Sequence, residues 1–183
     1  MKRNAQRLSV PEGEGSAARG NGAVSAADCG LLLIRASVGL LLAGHGAQKL
    51  FGMFGGHGLA ATGRGFAVLG YRPGTLYAAI GGASEFLGGL GLALGLFTPL
   101  AAAALIGVMI NAMVSVTAAH GVWETHGGLE YNVCIAAVAL AIAAIGPGRI
   151  ALDRPFRWGR GGWRAGAFAL VLGGLGSAVV LAV

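Results

Sequence analysis

Five apolar runs dominate this chain: Cys29 to Leu50, Thr75 to Phe97, Pro99 to Ala119, Leu129 to Gly146 and Trp163 to Val183. A hydrocarbon core about 30 Å thick is crossed by roughly 20 residues of helix, and each run comes close to that length. The expected fold class is an all-α membrane protein, a four-helix transmembrane bundle plus a fifth, C-terminal transmembrane helix. Composition agrees: charged residues make up 11% of the chain, whereas soluble domains carry about a quarter. The 35 glycines would weaken a water-soluble bundle. In lipid, where apolar burial does not drive helices together, they read as sites of close backbone approach.

The formal charge of +6 does not point to nucleic acid, because the basic residues collect in two segments beside the spans and form no single binding face. Lys2, Arg3, Arg7 and Arg19 precede the first span, and Arg149, Arg154, Arg157, Arg160 and Arg164 follow the fourth. The connection between the third and fourth spans has neither Lys nor Arg, so the positive-inside rule places the N-terminus in the cytoplasm. Residues 1–27 read as a disordered cytoplasmic tail, 28–154 as a four-span membrane domain, and 155–183 as a basic aromatic linker leading into the fifth transmembrane helix. Cys29 and Cys134 fall near opposite membrane faces, which excludes an intramolecular disulfide. They read as two small buried residues.

The connections carry their own signals. Phe51 to Gly74 is glycine-rich, yet Leu59, Phe66 and Leu69 can share one side of a short interfacial helix. The second and third spans form a tight hairpin in which Thr98 can cap and Pro99 takes a first-turn position.

Function must be sought in the polar residues at membrane depth. Arg35, His45 and Lys49 fall along one slowly drifting face of the first span, with Gln48 beside His45. Arg35 is placed to reach toward the inner headgroups, and His45 sits about two turns inside. Glu85 lies close to the middle of the second span, where an acid costs roughly 2.5 to 3.5 kcal/mol and usually pairs inside the bundle. Lys49, His45 and Arg35 are its possible partners. Ser84, Gly88, Gly91 and Gly95 trace a small-residue face beside it along which another helix can pack. Asn111 in the third span, and Glu130 and Asn132 at the start of the fourth, overlap in depth with the first-span residues. His45, Gln48, Lys49, Glu85, Asn111, Glu130 and Asn132 can therefore form one polar cluster, suited to a small polar ligand or a quinone headgroup. The plainer alternative is hydrogen-bonding glue between helices. His57, His120 and His126, with Glu124, match no metal-ligand spacing, so no metal site is assigned.

Two blocks, GHGAQKLFGMFGGHG from Gly44 to Gly58 and GGLEYNVCIAAVALAIAAIGPGRIALDR from Gly127 to Arg154, resemble the DoxX family of small bacterial membrane proteins. With the glycine-rich second span, the resemblance covers about residues 29–154. It implies a four-helix bundle in the bacterial plasma membrane, associated with quinone-, thiol- or sulfur-linked redox systems. A membrane subunit of a redox complex is the leading expectation, with quinone as the cofactor candidate. Its partners would be the lipid bilayer, redox proteins, or further copies of the chain through glycine-rich helix faces. A non-catalytic anchor or assembly factor and a small-solute transporter are the competing readings. The fifth span departs from the four-span pattern and reads as a packing or partner-binding helix.

Overall fold

The computed structural model describes residues 24–182. The expected tail lies outside the described residues except at its end, where helix already begins at Ala26 with Ser25 as its N-cap. Among the described residues there are no strands and six α-helices: α1 (Ala26–Phe51), α2 (Gly58–Val68), α3 (Gly74–Leu94), α4 (Thr98–Ala112), α5 (Glu130–Ile145) and α6 (Trp163–Leu181). A π-helical turn, Met113–Thr117, and a 3-10 turn, Ala118–His120, prolong α4. With that extension α1, α3, α4 and α6 are long and apolar enough to cross a membrane. The 16 residues of α5 reach only about 24 Å. The bundle is α1, α3, α4 and α5, with α6 added as the fifth apolar helix and α2 as the short helix between the first two spans.

The centre of the bundle is α4, which packs on α3, α5 and α6, while α1 packs chiefly on α3. Enclosure explains why α4 is apolar around its whole circumference, with Ala102, Leu105 and Ile106 fully buried. Small residues set the spacing. Gly39, Ala43 and Gly46 of α1 meet Gly82, Phe86 and Gly89 of α3 so closely that a methyl on Gly39 would stand 2.5 Å from the Gly89 carbonyl oxygen. The expected small-residue face of α3 is turned the other way, toward α4: a methyl on Gly88 would lie 3.2 Å from the Ala101 carbonyl oxygen. Thus α3 offers one glycine face to each neighbour. Both cysteines are exposed on the outer surface of the bundle and unbonded, correcting their reading as buried residues.

One end of the bundle carries most of the arginines and is locked by a buried carboxylate. Asp153, in the segment after α5, accepts hydrogen bonds from Phe97 N at 2.9 Å, Thr98 N at 2.7 Å, Thr98 Oγ1 at 2.8 Å and Trp158 Nε1 at 2.9 Å. It serves the N-terminus of α4 from 55 residues away, so Thr98 donates rather than caps. Phe97 is held at a φ of 47°, a region unfavourable for a side-chain-bearing residue. The Asp153 bond to its N–H and stacking of its ring on Trp158 compensate. Burial by itself would raise the Asp153 carboxyl, but these hydrogen bonds outweigh it and hold the group below the ordinary carboxylate range. Beside it Arg35, fully buried, donates to the carbonyls of Pro147 and Ile150. The expected reach of Arg35 to headgroups does not occur, because the loop closing α5 folds over it.

Two outcomes follow from this packing. Gly89→Ala should lower stability in detergent by about 1–3 kcal/mol through overpacking. Gly44→Ala, which meets nothing within 4 Å, should stay within about 0.5 kcal/mol; thermal unfolding of the two variants checks the contrast. Asp153→Asn should cost roughly 1–3 kcal/mol. Because the folded-state pKa is lowered, the wild-type advantage should be complete above the ordinary carboxylate range and vanish as pH falls through the folded value, as unfolding across an acid series would show.

Candidate functional site

At the end opposite Asp153, the last turn of α1 places Lys49 against Glu85 of α3. Lys49 Nζ lies 2.5 Å from Glu85 Oε1, with 31% of the lysine side chain exposed and 4% of the glutamate's. Glu85 Oε2 is buried and has no hydrogen-bond partner among the described residues. Of the three partners open to Glu85 on sequence grounds, the structure selects Lys49. Arg35 is 14 residues earlier on the same helix, about 21 Å along its axis, and its donors face carbonyls at the other end.

The pair borders a groove of about 520 Å³. Its floor is one face of α4, from Leu100 through Ala104, Gly107, Val108 and Asn111 to Ser115. Its walls are α3 and α6, which both pack on α4 and barely touch one another. Phe66 and Leu69, from α2 and the turn after it, and Tyr71 close the Lys49 end. Leu100 to Ser115 is 16 residues, about 22 Å along the helix from first to last, and the lining is apolar except near Lys49. There Tyr71 Oη donates to Asn111 Oδ1 at 2.7 Å and lies 2.5 Å from Ser115 Oγ. Asn111 Nδ2 donates to Ser177 Oγ of α6 at 2.9 Å. The π-helical turn starts two residues after Asn111 and includes Ser115; such turns within α-helices often accompany functional sites.

The seven candidate residues do not form one cluster. Lys49, Glu85 and Asn111 line the groove. His45 is exposed on the other side of α1, its Nδ1 2.9 Å from the Leu41 carbonyl oxygen and its ring 6.4 Å from that of Tyr131. Gln48 donates to the Phe54 carbonyl at 3.2 Å and steadies the loop after α1. Asn132 is buried, accepting from Thr117 Oγ1 at 3.1 Å and contacting Met109 Sδ at 3.5 Å, so it ties α5 to α4 as interhelical glue. Glu130 stands half-buried in the first turn of α5. The physical reason is rotation: residues of equal depth point to different neighbours. Tyr71, Ser115 and Ser177 were missed. Ser115 stands four residues beyond Asn111 and so shares its helix face, a signal present in the sequence, whereas Tyr71 and Ser177 reach the site only through the docking of other elements.

Removing Lys49 would leave a carboxylate stranded in an apolar wall. Lys49→Met should destabilise the protein by about 2–3 kcal/mol, the low side of the range for breaking a buried pair because the lysine is partly open. Lys49→Met combined with Glu85→Gln should recover most of that loss; a double-mutant cycle of thermal stability in detergent measures it, and additive losses would deny the coupling.

Residues 30–118 match the family model of DoxX. The matched stretch holds most of α1 and all of α2, α3 and α4, and so the groove's floor and one of its two walls, while α5 and α6 lie beyond it. No curated protein and no solved structure matches the chain.

Proposed function

Since the chain belongs to the DoxX family, with a DoxX domain at residues 30–118, we propose that it is a membrane subunit of a redox complex and holds a quinone-class molecule in the groove of α3, α4 and α6. The observation that carries this reading is a long apolar channel ending at a polar pole whose hydrogen bonding is incomplete at Glu85 Oε2. Ligand sites of this kind are mostly apolar, with a few placed polar groups that fix orientation. The polar pole suits a ring head, and the α4 face suits a prenyl or alkyl tail running toward Leu100. Phe66, Tyr71 and Tyr77 supply aromatic surface for the ring.

A quinone, when bound, supplies two-electron chemistry coupled to protons. The residues of this chain would orient the ring, exclude water from it and offer a charged pair at the ring oxygen. Electrons would come from a partner protein, in keeping with a subunit role. The fifth helix takes a definite part in this reading: α6 is a groove wall, with Gly173 against Ala103 and Gly107 and Ser177 bonded to Asn111.

Purification in mild detergent followed by extraction and mass spectrometry of bound small molecules tests the proposal. Wild type and His45→Ala, which lies outside the groove, should both retain a quinone. Ala104→Trp, which fills the channel, should lose most of it. Absence of any quinone from wild-type protein prepared from quinone-replete membranes, or equal retention by Ala104→Trp, would count against the groove as its site.

A further inference from the structure

We infer that the groove selects the reduced form of its ligand, a hydroquinone, over the corresponding quinone; this rests on the quinone-class reading above. The polar atoms at the groove's closed end fall into two sets. Tyr71, Asn111, Ser115 and Ser177 satisfy one another through the bonds already described. Glu85 does not share in that network. One of its oxygens takes the Lys49 ammonium, and the other is buried and without a partner, in a residue that lines the groove and is only 3% exposed.

That second oxygen sets the chemistry of the ligand. With the ammonium on Oε1, Oε2 presents lone pairs and accepts hydrogen bonds only. Leaving such an atom buried and unsatisfied is costly, and a ligand that brings a donor removes the cost. A hydroquinone hydroxyl is a donor. A quinone carbonyl brings only lone pairs, which it would set against the carboxylate. The same hydroxyl oxygen can also accept from Lys49, whose ammonium has three protons. A hydroquinone head therefore matches both members of the ion pair, whereas a quinone matches one and opposes the other. A cationic amine would satisfy Oε2 but place like charge beside Lys49. An aliphatic alcohol has the donor but leaves the aromatic wall unused, in which the Phe66 and Tyr71 rings lie 5.5 Å apart and Tyr71 and Tyr77 5.2 Å apart.

The experiment is an anaerobic competition on the full chain in detergent, with an alkyl-tailed hydroquinone and its quinone present together and retention read by native mass spectrometry. Wild type should retain the hydroquinone at least about tenfold over the quinone, the ratio set by one buried acceptor left unmet. Glu85→Gln, whose amide can also donate, should bring the two forms near parity while binding persists. The wild-type competition decides by itself should that variant fail to insert. Equal retention by wild type, or preference for the quinone, overturns this inference and leaves the groove as a quinone-class site. Retention of neither form overturns both readings. A preference unchanged in Glu85→Gln removes the role assigned to Glu85, and an alkyl alcohol that competes as well as the hydroquinone removes the ring from the assignment.

Discussion

Inside a hydrocarbon layer no water completes a polar atom's hydrogen bonds, so every buried donor and acceptor must be met from within the protein. This constraint organises the whole molecule. Two guanidinium nitrogens of Arg35 donate to carbonyls of the segment after α5, its Nε being left without a partner, and the carboxylate of Asp153 is met by N–H groups at the start of α4. Asn132 and Thr117 meet one another, as do Tyr71, Asn111, Ser115 and Ser177. Most of these bonds tie together segments far apart in the chain. Among the described residues the buried side-chain atoms left unmet are Arg35 Nε and Glu85 Oε2, and of these two residues it is Glu85 that borders the groove. An acid is costly to place at that depth, and Glu85 lines an apolar groove of about 520 Å³.

The second organising element is small-residue packing. Lipid surrounds the helices with material as apolar as their own side chains, so attraction between helices depends on how closely their backbones approach. Gly39 and Gly46 against Gly89 and Gly82 bring α1 onto α3, and Gly107 against Gly173 brings α6 onto α4. This second contact makes the groove, since α6 then stands beside α3 without packing on it. The ion pair depends on the first contact: α1 must lie within backbone distance of α3 for Lys49, in its last turn, to reach Glu85.

Much of this was legible in the residue order. The five runs became helices near their expected limits, and the Phe51 to Gly74 connection contains the short helix that Leu59, Phe66 and Leu69 foretold. Glu85 was recognisable as an internal residue because of its cost in lipid, and Lys49 stood among its three possible partners. The failures share a cause. Helical depth can be counted from residue number, but rotation about the helix axis cannot, so His45, Asn132 and Asn111 were grouped by depth although they face three different neighbours. Arg35 and Asp153 were misjudged or overlooked because their partners lie in a segment more than fifty residues away, where no local pattern announces a hydrogen bond.

Hydropathy, the glycine content and the placement of ionisable residues within apolar runs are properties of the order of residues. They determined that the chain crosses a membrane as tightly packed helices with an acid in their midst, because the cost of exposing backbone and charge to lipid leaves few other folds. Which lysine or arginine meets that acid, which oxygen stays unmet, and that α6 closes one side of a channel were decided only by tertiary packing. These depend on helix rotation and on which glycine faces interlock, and such choices turn on contacts of a few ångströms between residues far apart in the chain.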